Sequence, residues 1–219
     1  GLLEKLKFLH AGGFPKLKSF PPLKLPSLEN FEPADNLENF PEILGKMENI
    51  TSLYFYRCDI KKFPPSFRNL TRLQTLYVNG DLIGGDRAVV DAASFVSNIC
   101  MMPELPRVEA AQLPDDVLKL SPVVWSSIQD LTFTGSSLSD ELLPLFLSCF
   151  VNVKKLDLSD NNFTVIPESI KECRFLDNLT LKYCHNLREI RGIPPNLKDF
   201  SATGCRNLTS PSKSMLLNQ

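Results

Sequence analysis

The side chains that could carry acid–base or metal chemistry in this chain are few and widely separated. There are two histidines, His10 and His185, and six cysteines, none in a C-x-x-C pair or near a histidine at metal-ligand spacing. No glycine-rich phosphate-binding pattern is present. The acidic pairs at residues 115–116 and 140–141 are typical of solvated faces or helix starts. The sequence therefore predicts no catalytic site, no cofactor and no metal.

The charge balance and hydropathy of the chain favour a protein partner. Its 219 residues include 24 Lys and Arg against 25 Asp and Glu, so no overall field would attract nucleic acid or an anionic membrane. Hydrophobic residues make up 43% of the chain, which suits a packed domain. The longest apolar stretch, residues 142–151, is far shorter than the roughly 20 residues that span a bilayer. We therefore expect protein binding, with neither nucleic acid nor a membrane as partner.

An apolar frame, L-x-x-L-x-L, recurs along the whole chain. Its nine copies begin at Leu6, Leu28, Ile50, Leu73, Leu105, Ile128, Val153, Leu176 and Leu197. All but one of the intervals between their second positions measure 21 to 25 residues, the spacing of leucine-rich repeats. The exception, 32 residues, indicates an insertion, and the copy at Leu105 is degenerate. Residues 88–98 and 139–150 have the pattern of short helices, and the acidic pair at 140–141 suits the start of the second.

Prolines and small side chains follow the frame at regular points. Prolines at 21, 41, 64 and 167 end the inward-facing segment, because proline lacks the amide hydrogen that would extend a strand. Just before this segment comes a small polar or thiol side chain that can bond to buried backbone. This position holds Asn36, Cys58, Asp81, Ser136, Asn161, Cys184 and Cys205. Half of the cysteines thus have a structural explanation.

These features predict an α/β fold, a leucine-rich-repeat solenoid of about nine repeats. The horseshoe would have a parallel concave sheet and an irregular or short-helical convex side. We expect the solenoid to cover residues 1–211, with an irregular insertion at about 80–104 and a tail at 212–219. Because no polar capping repeat is evident, we expect the chain to be a piece of a longer protein.

The candidate binding residues lie on the concave face, where strand side chains alternate away from the core. Tyr54, Tyr56 and Tyr77 fall on two adjacent strands and lead the candidates, since tyrosine combines a large contact area with a polar end. Cross-strand pairing of exposed aromatics is the competing explanation. The other candidates are Arg57, Asn79, Arg107, Asp130, Lys155, Asp157, Asp177 and Lys182. Four of these, Lys155, Asp157, Asp177 and Lys182, would form a mixed-charge patch.

Two sequence features bear on the cellular compartment and point in opposite directions. Scattered cysteines outside any framework suit free thiols in a reducing compartment, which favours a cytoplasmic or nucleo-cytoplasmic location. Five N-x-T triplets, starting at Asn49, Asn69, Asn162, Asn178 and Asn207, could instead be glycosylated in a secreted protein. In repeats of this kind the triplet also arises from Asn-Leu-Thr packing patterns, which is the interpretation we favour.

Several segments resemble a known receptor family. The repeat style lacks the L-x-G-x-I-P segment of plant cell-surface receptors. VKKLDLSDNNFT at residues 153–164, LREIRGIPPNLK at 187–198 and the closing SMLLNQ at 214–219 resemble the last repeats of plant disease-resistance receptors. The family concerned combines TIR, nucleotide-binding and leucine-rich-repeat domains, and the likeness is greatest to its legume members. It covers the whole chain, most specifically from about Trp125 onward.

The resemblance implies a function in immunity. In that family the repeats recognise pathogen effectors, directly or through a guarded host protein, and restrain the nucleotide-binding domain of the same receptor until then. Any NAD-cleaving or nucleotide-binding activity of the parent receptor would lie outside this chain, so the chain itself would not be an enzyme. Two alternatives remain open: the ectodomain of a cell-surface leucine-rich-repeat receptor, and a protein-binding scaffold arm of a larger enzyme such as a ubiquitin ligase.

Overall fold

The structure of this protein is a computed structural model that describes residues 3–14, 16–35, 37–56, 60, 62–80, 92–100 and 125–210. Eight strands form one parallel sheet and follow each other in chain order. They are β1 (Phe8–His10), β2 (Asn30–Glu32), β3 (Ser52–Tyr56), β4 (Thr75–Asn79), β5 (Asp130–Thr134), β6 (Lys155–Asp157), β8 (Asn178–Thr180) and β10 (Asp199–Ser201). The predicted solenoid with a parallel sheet is thereby confirmed.

The register of the sheet follows the apolar frame. Leu53 pairs with Leu76, Leu76 with Leu131, and Leu156 with Leu179, so the frame's second positions form a continuous row. Side chains alternate along each strand, and frame residues such as Leu76 and Val78 are buried while their neighbours are half-exposed. One face of the sheet therefore lines the core, and the other is open.

Phenylalanine side chains fill much of the core behind the sheet. The ring of Phe40 lies 5.0 to 5.9 Å from those of Phe31, Phe55, Phe63 and Phe67. Aromatic pairs at such separations contribute about 0.5–1.5 kcal/mol beyond the burial of their area. Because the rings come from successive repeats, they join neighbouring repeats into one core.

The convex side is built from short elements, as predicted. Pro64 and Pro167 each precede a 3-10 helix, Pro65–Asn69 and Glu168–Glu172 respectively. A second, two-stranded parallel sheet joins β7 (Val165–Ile166) to β9 (Glu189–Ile190). Of two helices, α2 (Leu143–Cys149) lies within the helical run expected at 139–150, and α1 (Ala92–Ile99) overlaps the run expected at 88–98 and ends one residue after it.

The predicted repeat at residues 105–110 lies outside the described residues. β4 pairs directly with β5 over five residue pairs, from Thr75 opposite Asp130 to Asn79 opposite Thr134. In the described part of the sheet, β4 and β5 are therefore direct neighbours. The eight strands of this sheet correspond to eight of the nine predicted repeats.

Part of the insertion returns to the core as α1. The ring of Phe95 lies 5.1 Å from Phe133 and 5.4 Å from Phe63, so the helix packs against repeats on both sides of the insertion. The indole nitrogen of Trp125 donates a hydrogen bond to the carbonyl of Ile99, 3.1 Å away. The described part of the insertion is therefore integral to the fold.

The acidic pair at 140–141 does not cap α2. That helix begins at Leu143, and the carboxylate of Asp140 instead accepts hydrogen bonds from the next repeat. The donors are the backbone amide of Thr164, its hydroxyl and the amide of Val165, at 2.7, 2.6 and 3.1 Å. Asp140 therefore joins two repeats, which a reading of local helix signals does not predict.

A disulfide joins Cys100 to Cys149, at the carboxyl ends of α1 and α2, with 6.1 Å between the Cα atoms. The expectation that the thiols are free was wrong for this pair, because the insertion packs α1 against the repeat that carries α2. Cys173, Cys184 and Cys205 are free and buried, as expected. In the described part of the chain, no helix is long and apolar enough to cross a membrane.

Candidate functional site

Three tyrosines form a cluster on the open face of β3 and β4. Tyr54 pairs in register with Tyr77, while Tyr56 lies opposite Asn79. The ring centroids of Tyr56 and Tyr77 are 4.9 Å apart, and that of Tyr54 lies 6.3 and 6.2 Å from them. All three side chains are half-buried at the surface of the sheet. The sequence therefore predicted this tyrosine cluster (Tyr54, Tyr56 and Tyr77) correctly as a group of adjacent concave residues.

The polar ends of the cluster are held by neighbouring groups. Asn79 donates a hydrogen bond from its amide to the hydroxyl of Tyr77, at 3.4 Å. Burial raises the pKa of Tyr56, and the nearby Tyr77, Glu32 and Tyr54 raise it further. The Tyr56 hydroxyl therefore stays protonated at neutral pH and can donate a hydrogen bond to a partner.

Glu32 and His10 continue the same column toward β1. Their side chains form a hydrogen bond of 2.9 Å between the carboxylate and Nδ1, and the Glu32 carboxylate also lies close to Gly12. This end of the open face is therefore polar, beside the aromatic surface of the cluster.

The predicted mixed-charge patch divides into separate ion pairs. Lys155 lies 3.9 Å from Asp130, and Asp177 lies 3.6 Å from Lys198. The carboxylate of Asp157 accepts hydrogen bonds from the amide and hydroxyl of Ser159. These exposed pairs contribute about 0.2–1 kcal/mol each. In a complex with a protein partner, they would place charges at the rim of the interface.

Two predicted site residues, Arg57 and Arg107, lie outside the described residues. In the described sheet, β4 pairs directly with β5. The tyrosine cluster on β4 is therefore adjacent to Thr132 and Thr134 on the open face of β5. The described neighbours of the cluster on this side are therefore uncharged hydroxyl side chains.

The small residues of the turns bond to the preceding repeat, as predicted. Asn161 donates from its side-chain amide to the carbonyl of Phe133, at 2.7 Å. The thiols of Cys184 and Cys205 donate in the same way to Leu158 and Leu181, at 3.3 and 2.9 Å. Hydrogen bonding with Cys205 and burial raise the pKa of Cys184, which keeps that thiol protonated. The structural role expected for these cysteines is confirmed, while Cys58 lies outside the described residues.

Two of the five N-x-T asparagines are engaged between repeats. The side-chain amide of Asn49 donates to the carbonyl of Pro26 at 2.8 Å, and that of Asn207 donates to His185 at 2.7 Å. Asn152 and Asn196 make the same bond without belonging to a triplet, to Ser126 and to Arg174. Asparagine at this point therefore has a packing role that is independent of glycosylation.

Tyr183 is an exposed aromatic residue at the edge of the concave face, and it is not among the candidates predicted from the sequence. Its side chain is 50% exposed, and its φ is 58°. A partial signal was present in the sequence, because the corresponding positions of three other repeats hold Gly13, Gly135 and Gly204, although the preceding repeat holds Asp160 there, with a φ of 56°. A tyrosine at such a left-handed position is uncommon.

The chain is similar to plant disease resistance proteins along almost its whole length. The family described as "Disease resistance protein RPS4B-like, leucine-rich repeats" matches residues 115–212. The TMV resistance protein N of Nicotiana glutinosa is 28% identical over 91% of this chain. Disease resistance protein RPS4B of Arabidopsis thaliana is 27% identical over 96%. The chain spans only 21% and 17% of the lengths of these two relatives.

A solved structure shows the same fold. TLR13, in a complex with the single-stranded RNA ssRNA13, aligns with 92% of this chain and 27% of its own chain, with a TM-score of 0.56. The sequence identity is 16%, so the likeness concerns the fold alone. It agrees with the leucine-rich-repeat solenoid described above.

Proposed function

We propose that this chain, a leucine-rich-repeat solenoid similar to plant disease resistance proteins, is the sensor and autoinhibitory module of an intracellular immune receptor. Its partner would be a pathogen effector or a guarded host protein, bound on the concave face. The nucleotide-binding domain of the parent receptor would be the intramolecular partner that the module restrains. The proposal gives this chain a recognition role in the cytoplasm and no catalytic step.

The observation that carries the proposal is the tyrosine cluster on an open sheet face. Its three rings lie within 4.9 to 6.3 Å of each other. Mutual packing restricts their rotamers, so binding them costs less side-chain entropy than binding isolated tyrosines. Interface hot spots are enriched in tyrosine, and each contributes about 2 kcal/mol or more when truncated. The neighbouring strand β5 offers threonines, which provide a polar rim without charge.

The test uses the full-length receptor in leaf tissue, with cell death as the readout. Three versions are compared with the wild type: deletion of this segment, Tyr54→Ala/Tyr56→Ala/Tyr77→Ala, and Phe175→Ala as a control. Phe175 is an exposed aromatic in the turn before β8, away from the cluster. All versions are matched for protein level by immunoblot.

We expect deletion either to abolish effector-dependent death or to cause death without any effector. The triple variant should lose the response to the effector, and Phe175→Ala should keep it. If deletion alters neither response, the sensor role is wrong, and a general scaffold role replaces it. If the triple variant responds like the wild type while the deletion does not, recognition uses another surface.

The Cys100–Cys149 disulfide favours a second candidate, the ectodomain of a cell-surface receptor, because disulfides persist in oxidising compartments. Engagement of the Asn49 and Asn207 amides between repeats weighs against it, since a glycan would need the same nitrogen. Mass spectrometry of the protein from plant tissue distinguishes the two candidates. Glycans on any N-x-T site would establish secretion. If the asparagines of all five triplets are found only in the unmodified form, the intracellular receptor is favoured.

A further inference from the structure

Tyr183 occupies a left-handed backbone conformation that favours glycine and, less often, asparagine or aspartate. It has a φ of 58°; the corresponding positions after β1, β5 and β10 hold glycines with φ of 80°, 59° and 83°, and the position after β6 holds Asp160 with a φ of 56°. This left-handed conformation costs an L-residue free energy because its β-carbon approaches the following carbonyl oxygen. Half of the Tyr183 side chain is exposed, so little burial offsets the cost. Strained residues that persist in this way concentrate at binding sites.

The ring of Tyr183 is held in a fixed place despite its exposure. A β-carbon added to Gly204 would come within 2.5 Å of Cδ1 of the tyrosine, so the ring lies directly over that glycine. The centroid of the His185 ring lies 6.3 Å from that of Tyr183. The backbone of the next repeat, at Gly204, therefore supports the ring. A preorganised aromatic contact of this kind loses little entropy when a partner binds.

Two carboxylates of the preceding repeat, Asp157 and Asp160, interact with each other, and Asp160 also interacts with His185, whose ring lies 6.3 Å from that of Tyr183. Among the described residues, neither carboxylate forms an ion pair with a lysine or arginine, although Asp157 accepts hydrogen bonds from Ser159. Burial raises the pKa of Asp160, His185 lowers it, and the charge of Asp157 raises it. A positively charged side chain of a partner would relieve the repulsion between these carboxylates. It could at the same time lie against the face of the tyrosine ring.

The position of Tyr183 relates it to the tyrosine cluster. Tyr56 ends β3 and Tyr183 follows β8, and four strand-to-strand steps of one sheet separate them. At about 4.8 Å a step, the two aromatic surfaces lie on the order of 20 Å apart along the same edge. A standard interface of about 800 Å² on each partner is wide enough to cover both.

We propose that Tyr183 is a second anchor for the protein partner that binds the tyrosine cluster, an inference that rests on the proposed function. The partner is a folded domain that spans both aromatic surfaces and presents a cationic side chain to Asp157 and Asp160. A short peptide bound at the cluster alone would leave Tyr183 free.

The test uses the whole chain and a phage-displayed library of single-domain binders as the probe. Binders are selected on the wild type and sorted by whether they lose affinity for the Tyr54→Ala/Tyr56→Ala/Tyr77→Ala variant. Those that depend on the cluster are then measured against Tyr183→Gly, Asp160→Asn and the control Phe175→Ala. We expect most of them to lose at least tenfold in affinity on Tyr183→Gly and to retain it on Phe175→Ala. Asp160→Asn should reduce the affinity of those binders that carry arginine or lysine in their contact loops.

The melting temperature of Tyr183→Gly separates a binding role from a structural one. Glycine removes the left-handed strain, so the variant should melt at the wild-type temperature or higher while binding falls. A lower melting temperature would mean that the ring supports the fold, and it would overturn the proposal. Unchanged affinity of cluster-dependent binders for Tyr183→Gly would overturn it too, while leaving the cluster in place. If no binder depends on the cluster, the proposed function itself loses its support.

Discussion

The backbone amide of Leu138 donates a hydrogen bond to the side-chain oxygen of Asn161, 2.9 Å away in the next repeat. The amide group of the same asparagine donates back to the carbonyls of Phe133 and Leu158, at 2.7 and 3.0 Å. Asn161 is 2% exposed, so these bonds are closed to water. One side chain therefore satisfies the turns of two repeats at once.

Replacing Asn161 with alanine should lower the free energy of unfolding by about 2–4 kcal/mol, because at least two buried backbone groups lose their partners. Asn152 is the matched control, since it is only half-buried and its side-chain amide makes one bond, 3.2 Å long and exposed to solvent, to the carbonyl of Ser126. Asn152→Ala should cost only about 0.5–1.5 kcal/mol. Urea denaturation of the two variants checks the difference, and equal losses would show that burial does not control the strength of these bonds.

The disulfide between Cys100 and Cys149 should stabilise the chain substantially. It closes a loop with a sequence separation of 49 residues, and such links typically contribute about 2–4 kcal/mol. The double variant Cys100→Ala/Cys149→Ala should therefore melt well below the wild type under non-reducing conditions. A reductant should lower the melting temperature of the wild type toward that of the variant.

Alkylation followed by peptide mapping should find Cys173, Cys184 and Cys205 unmodified in the folded state and reactive after unfolding. Labelling of Cys100 in the native, non-reduced protein would contradict the link.

Alanine substitutions at Gly135 and Gly45 distinguish the effect of steric crowding on stability from that of conformational strain. Both have positive φ, 59° and 76°, but only Gly135 is crowded, since a β-carbon there would collide with the carbonyl of Gly80. Gly45→Ala should cost about 1–2 kcal/mol, from the left-handed conformation alone. Gly135→Ala should cost clearly more, because β4 and β5 must move apart. Thermal melts of both variants check this order, and a smaller loss at Gly135 would mean that the two strand ends separate easily.

Asp140 should make the stability of the chain depend on acid pH. Burial alone would raise its pKa, but hydrogen bonds from Thr164 and Val165, together with the charge of Arg191, outweigh burial and lower it. A carboxyl with a lowered folded-state pKa contributes stability above its unfolded pKa and loses it as the pH falls through the folded value. The wild type should thus lose stability below about pH 4. Asp140→Asn should show a flatter profile in that range, in denaturation curves from pH 2 to 7, and an identical slope for both proteins would refute the assignment.

The sequence by itself determined the repeat and the register of the sheet. A strand side chain points inward or outward according to its parity, so the frame L-x-x-L-x-L fixes which residues are buried. Stacking equal units then places the same frame position of each repeat side by side, as with Leu76 and Leu131. For this reason the tyrosine cluster and the bonds made by Asn161 and Cys184 could be predicted without coordinates.

Only the tertiary structure decided the features that depend on contacts between distant segments. The degenerate frame at Leu105 has leucine spacing, yet in the described sheet β4 pairs directly with β5. The partner of Cys100 was set by the packing of α1, and that of Asp140 by the turn of the next repeat. The contact between the Tyr183 ring and Gly204 depends on how two successive repeats pack. In each case residue identity permits several contacts, and the packed neighbours select one.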